Sequence, residues 1–201
     1  MSVQNADSIF PQLVVKASLL SILCGIICVV DSVSAADIYW PGWLGPQRNG
    51  WVSNFETPEK WPQELKKIWE VKVGAGYGSP LVVDGSVYQH SRQGADEVVR
   101  CLDLESGSVR WTQKYPVPFK IGGGGEYHGK GPKSSPVLDD GRIFTMSITG
   151  QLSAWDSTSG QLLWRRDYDT YFQKSHPYWG ASGSPIVDGN RVIIHFGTDE
   201  A

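Results

Sequence analysis

An all-β fold built as a β-propeller of four-stranded blades is predicted by three features: a strand-turn-strand phrase written three times, a second phrase written twice, and a spacing near fifty residues. The first phrase reads GSPLVVDG at 78–85, SSPVLDDG at 134–141 and GSPIVDGN at 183–190. The second reads RCLDLESGSVRW at 100–111 and SAWDSTSGQLLW at 153–164, both of the form D-x-x-S-G-x-x-x-W. Ser79, Ser135 and Ser184 stand 56 and 49 residues apart, and Trp111 precedes Trp164 by 53. With 23 glycines and 9 tryptophans in 201 residues, the composition favours short strands and tight turns over helices.

Residues 1–36 read as a secretory signal peptide, because Lys16 precedes an apolar run at 17–30 (ASLLSILCGIICVV) and small residues ending SVSAA come after it. As a helix that run rises about 21 Å, short of a hydrocarbon core of about 30 Å, so no stable membrane anchor is expected after cleavage. Val33/Ala35 or Ser34/Ala36 suit signal peptidase, which places the mature start at Ala36 or Asp37 and the protein in the periplasm or outside the cell. Leu23 before Cys24 and Ile27 before Cys28 do not suit a lipobox. Cleavage leaves Cys101 alone, with no intrachain disulfide to form.

A lead-in segment at 37–66 precedes the repeats at 67–201. In each first phrase, Ser-Pro opens a strand at a place where proline is tolerated, and Asp-Gly or Asp-Gly-Asn closes a hairpin turn. The β-rich stretches 86–91, 142–147 and 191–196 supply the second strand. In the second phrase Asp103 and Asp156 are placed to accept turn hydrogen bonds from backbone amides, Gly107 and Gly160 to turn the chain, and Trp111 and Trp164 to end the unit. Trp69, in 67–73 (KIWEVKV), reads as the same final strand of a preceding partial unit. Two units are complete and a third breaks at Asp199-Glu200-Ala201, so an N-terminal arc of about two to three blades is expected, part of a longer protein or a truncated product.

These motifs resemble the quinoprotein-type, or PQQ-like, β-propeller repeat, found in quinoprotein alcohol dehydrogenases and in the outer-membrane assembly scaffold BamB. Residues 40–50 (WPGWLGPQRNG) look like the W-P-x-x-x-G-P-x-R-x-G opening of exported bacterial proteins of this kind. The resemblance covers Trp40 to the C-terminus. It implies that Trp69, Trp111 and Trp164 dock between adjacent blades. For the dehydrogenases it further implies adjacent cysteines over the quinone, calcium held by Glu and Asn, and an Asp base. No Cys-Cys occurs here, and Cys101 falls where Ala154 stands in the next unit. Cys101 is read as a small buried hydrophobe.

Other chemistry is weakly supported. Residues 124–130 (GGEYHGK) satisfy G-x-x-x-x-G-K, but Gly131 stands where a P-loop needs Ser or Thr, and a strand comes next instead of a helix. Residues 74–78 (GAGYG) fail as a dinucleotide fingerprint for the same reason. The four histidines have no metal-motif spacing, and His90 and His195 read as satisfied sheet residues, so no metal site is expected. A formal charge of −3 offers no footprint for nucleic acid.

The repeat leaves two long inter-blade loops unexplained, 115–133 and 168–183, both joining a Trp strand to the next Ser-Pro strand and so expected on one propeller face. They either pack over the channel mouth or carry binding, with His128, Lys130, Lys133, His176, Tyr178 and Trp179 as candidate contacts for a protein partner or a small polar ligand. The expectation is a non-catalytic binding or assembly scaffold with no cofactor in this chain. The alternative is the first blades of an oxidoreductase using pyrroloquinoline quinone with calcium, and a third reading is a carbohydrate-active propeller suggested by the Tyr and Trp content.

Overall fold

The structure, a computed structural model, describes residues 38–53, 55–122, 125–168 and 179–196. The predicted signal peptide and mature start, the break of the third unit, and His176 and Tyr178 lie outside the described residues. The strands are β1 (Tyr39–Trp40), β2 (Leu81–Val83), β3 (Ser86–Gln93), β4 (Asp96–Asp103), β5 (Val109–Pro116), β6 (Val137–Asp139), β7 (Arg142–Met146), β8 (Gln151–Asp156), β9 (Leu162–Asp167), β10 (Ile186–Asp188) and β11 (Arg191–Ile193). They form antiparallel sheets in the orders β1-β2-β3-β4-β5, β6-β7-β8-β9 and β10-β11. Two up-and-down four-stranded blades and the start of a third are thus present, as the repeat predicts.

The local chemistry explains the motifs. At Asp84-Gly85 and Asp140-Gly141 both turn residues have positive φ (47° and 68°, 45° and 69°), the conformation of a two-residue hairpin whose twist matches the flanking strands. Asp103 Oδ1 accepts from Ser106 N at 2.9 Å and Ser106 Oγ at 2.7 Å, and Asp156 Oδ1 accepts from Ser159 N and Oγ, both at 2.7 Å. Each blade then carries a register shift at the same place, Cys101/Leu102 and Ala154/Trp155.

The tryptophans join successive units. Trp69 Nε1 donates to Leu104 O at 2.8 Å and Trp111 Nε1 to Ser157 O at 2.9 Å, in each case the residue after the turn aspartate. A Cβ on Gly107 would stand 2.7 Å from the Trp69 ring, and one on Gly160 2.6 Å from Trp111, so glycine is required for the indole to lie flat on the turn. Trp164 packs instead on Phe144 of its own blade, at 5.9 Å between ring centroids. No turn glycine stands against it among the described residues, so the inter-blade docking expected of the series is seen for Trp69 and Trp111.

Residues 67–73 form no strand, contrary to expectation. Among the described residues no strand pairs with them in a ladder, and side chains of the first blade donate to their carbonyls instead: Ser91 Oγ to Val73 O at 2.7 Å and Arg100 Nη1 to Lys72 O at 3.3 Å. The lead-in, conversely, does more than precede the repeats. β1 pairs with β2, then Leu138 N donates to Pro41 O at 2.7 Å and Arg48 Nη2 to Val187 O at 3.2 Å, so residues 39–48 cross the first strands of all three units as a strap.

The core lies between the first two blades, with Leu81, Val99, Cys101, Tyr115, Ile143 and Trp155 among its members. Cys101 is buried there as expected. Within it sits a polar group: the Glu97 carboxyl accepts from Tyr115 OH and His90 Nε2, each at 3.0 Å, and from Ile148 N of the second blade at 2.9 Å. His90 is thereby a buried sheet residue, as the sequence suggests, satisfied at Nε2 and, among the described residues, without a hydrogen-bond partner at Nδ1.

The turn aspartates make folding pH-dependent. The Ser106 hydroxyl, then Arg110, holds Asp103 below the ordinary 3.8, and the Ser159 hydroxyl and amide do the same for Asp156. A carboxyl whose value is depressed on folding adds stability that is present above its unfolded value and lost as pH falls through the folded one. Below about pH 4 the melting temperature of the parent should therefore drop more steeply than that of a variant with both Asp103→Asn and Asp156→Asn, as monitored by circular dichroism.

Candidate functional site

The repeated serine is an inter-blade stitch. Ser79 N donates to Ser135 Oγ at 2.9 Å, and Ser135 N to Ser184 Oγ at 3.0 Å. The segments leading into the phrases are drawn together above this ladder, with Tyr77 N donating to Pro132 O at 2.8 Å. Contact there is at backbone distance, since a Cβ on Gly78 would meet Ser134 O at 2.4 Å and one on Gly131 would meet Ala75 O at 2.4 Å. The glycines that failed as a nucleotide motif are therefore the places where neighbouring units touch.

One consequence is a groove. The residue two before each repeated serine is Tyr77, Lys133 and Ser182 in turn. All three line two adjoining cavities, one of about 360 Å3 with His128, Trp179 and Gly180, the other of about 740 Å3 beneath the strap residues Pro41, Trp43 and Arg48. His128 ends a 3-10 turn, Gly125–His128, and its ring lies 4.9 Å from that of Trp179. Lys133 Nζ stands 4.4 Å above the Tyr77 ring and donates to His128 O at 3.4 Å. Partial burial lowers the Lys133 pKa from its usual value.

Trp179 is anchored through its neighbours Gly180 and Ala181. Ala181 N donates to Ile148 O at 2.8 Å, and Gly180, at φ 89°, passes so close to Ile148 that its Cβ would lie 2.2 Å from the side chain. Ile148 N is the group whose hydrogen bond Glu97 accepts. The buried polar group of the first blade thus fixes, through the second blade, the aromatic wall of the groove.

Of the predicted contacts, the structure brings together His128, Lys133 and Trp179, from both loops, on one cavity. Lys130 is not part of it; its side chain is exposed and its carbonyl accepts from Arg92 Nη1 at 3.4 Å. His176 and Tyr178 lie outside the described residues. Within the first loop Val117, Phe119 and Ile121 are buried packing, with Arg92 Nη2 donating to Val117 O at 2.8 Å, while His128 and Lys133 line the cavity. Sequence reasoning missed Tyr77, although its place two before Ser79 repeats that of Lys133 before Ser135. His195, read as a sheet residue, stands beyond β11, exposed at the larger cavity.

Among the described residues, Cys101 is in the core and not at the groove, and the groove lining includes one carboxylate, Asp139, where calcium takes six to eight oxygens.

A family model described as outer membrane protein assembly factor BamB matches residues 95–200. The chain is 30% identical over 149 residues to 1-butanol dehydrogenase (cytochrome c) of Thauera butanivorans, covering 72% of this chain and 20% of that protein. It is 27% identical over 96 residues to outer membrane protein assembly factor BamB of Escherichia coli K12, covering 48% and 21%. A solved europium-containing methanol dehydrogenase superposes with a TM-score of 0.44 at 21% identity, over 62% of this chain and 20% of the other. The chain spans about a fifth of the length of these relatives. With a matching family model over more than half of its residues, the chain belongs to the PQQ-like β-propeller repeat family, that of outer membrane protein assembly factor BamB.

Proposed function

We propose that the chain belongs to an exported, non-catalytic binding or assembly scaffold that holds a partner or polar ligand in the Tyr77–Lys133–Trp179 groove. The observation that supports this is the convergence of equivalent positions from three successive units, with exposed aromatic faces beside a partly buried ammonium. Trp69 and Trp111 lie on turn glycines and Trp155 is buried in the core, whereas Trp179 is 51% exposed. An exposed aromatic anchored on a rigid scaffold is a typical binding hot spot.

The test uses the full-length exported protein, with a photo-crosslinker in place of Tyr77 to capture the occupant of the groove. His128→Ala with Trp179→Ala should leave the melting temperature close to the parent's, and should weaken binding by about 2 kcal/mol, roughly thirtyfold. An early melt, or capture equal to the parent's, would make these loops packing elements.

The second reading, a quinone-dependent oxidoreductase, is favoured by the identity with 1-butanol dehydrogenase. Calcium-dependent dye reduction on addition of pyrroloquinoline quinone to the full-length protein would establish it and displace the scaffold reading.

A further inference from the structure

We propose that the ligand of this groove is an acidic saccharide, its pyranose ring laid on Trp179 and Tyr77 and its carboxylate held by Lys133. This rests on the reading of the groove as the binding site and adds the chemistry it selects. The rings are the first argument. Tyr77 and Trp179 are 59% and 51% exposed beside a cavity of about 360 Å3, and although Lys133 stands over one face of Tyr77 and the His128 ring lies 4.9 Å from that of Trp179, each ring keeps exposed surface on which a ligand ring can lie. The C–H face of a pyranose, slightly positive, matches the negative face of such a ring.

Charge is the second argument. The charged side chains lining the two cavities are Arg48, Lys133 and Asp139, two cationic and one anionic. No carboxylate stands within ion-pair distance of Lys133 among the described residues. Its ammonium has three donors, of which one goes to His128 O at 3.4 Å, and it is placed directly over the Tyr77 ring. A carboxylate arriving on a ring stacked there completes its hydrogen bonds and offsets its desolvation. Length is the third argument: Tyr77, Lys133 and Ser182 line both the small cavity and the larger one under the strap, so a saccharide of more than one unit held at these residues has adjoining space to occupy.

The probes are a galacturonic acid trimer, the neutral galactose trimer and benzoate, titrated calorimetrically into the full-length protein. The acidic trimer should bind about tenfold more tightly than the neutral one, the difference a partly buried charge-assisted hydrogen bond makes. Lys133→Met should remove that preference at an unchanged melting temperature, Lys133→Arg should restore most of it, and Trp179→Ala should weaken both trimers. Equal binding of both trimers by the parent overturns the role of Lys133 and leaves the groove as the site. Benzoate binding as tightly as the acidic trimer overturns the saccharide. If no probe binds while the His128/Trp179 double variant still loses its crosslinked partner, the saccharide falls and the scaffold reading stands; if that variant also keeps its partner, both fall.

Discussion

Glu97→Ala is expected to destabilise the protein by about 3–5 kcal/mol, the cost of breaking a buried charged group away from its partners. Glu97 and His90 are fully buried on adjacent strands, and Tyr115 lies opposite Glu97 on the third. Removal of the carboxyl strands Ile148 N and leaves Tyr115 OH and His90 Nε2, 3.1 Å apart, with only each other in place of an acceptor they shared, inside the buried core. Burial, and then the charge of Glu97, pushes the Tyr115 pKa well above its usual value, so the phenol remains a donor across the accessible pH range. Glu97→Gln keeps an acceptor for Ile148 N and should lose less. Urea denaturation of the full-length variants gives the comparison, and a midpoint for Glu97→Ala within error of the parent's would show that the group carries no inter-blade stability. Because Ile148 also holds Gly180 and Ala181, Glu97→Ala should weaken groove binding as well, a long-range effect that Trp179→Ala reproduces without the loss of stability.

Trp111→Ala should cost a similar amount, about 3–5 kcal/mol, through loss of the indole that spans the first two blades. The ring covers Gly160, donates to Ser157 O at 2.9 Å, and lies 6.1 Å from the Tyr88 ring. Gly160→Ala attacks the same contact from the other side, since a Cβ would meet the indole at 2.6 Å on a backbone with φ 72°. The two changes should be far from additive, because each removes the interaction that the other depends on. Trp164→Ala is the control, an equivalent residue that is 37% exposed and lacks a turn beneath it among the described residues. A loss for Trp164→Ala equal to that for Trp111→Ala would show that docking on a turn glycine is not the source of the stability these tryptophans give.

The strands and turns of the two complete units were legible from residue order, because the devices that build them are short in range. Asp-Gly sets two φ angles, a turn aspartate reaches amides two and three residues on, and alternation decides which side chains face inward. The docking of Trp69 and Trp111 was implied by the resemblance of the motifs to the quinoprotein-type repeat. Half of the groove could be read as well: His128, Lys133 and Trp179 stood out as polar and aromatic residues in loops that the repeat did not need.

Every meeting between units was left for the tertiary structure to decide. Lys130 lies three residues from Lys133, yet Arg92 holds its carbonyl and its side chain stays out of the cavity. Tyr77 and Ser182, 105 positions apart in the chain, share a wall because the serine ladder lays successive blades side by side at backbone distance. The strap, the 67–73 segment without a strand, and the Glu97 group are of the same kind. Each depends on which surfaces face one another after blades pack, a geometry set by the sum of many side-chain contacts and carried by no local run of residues.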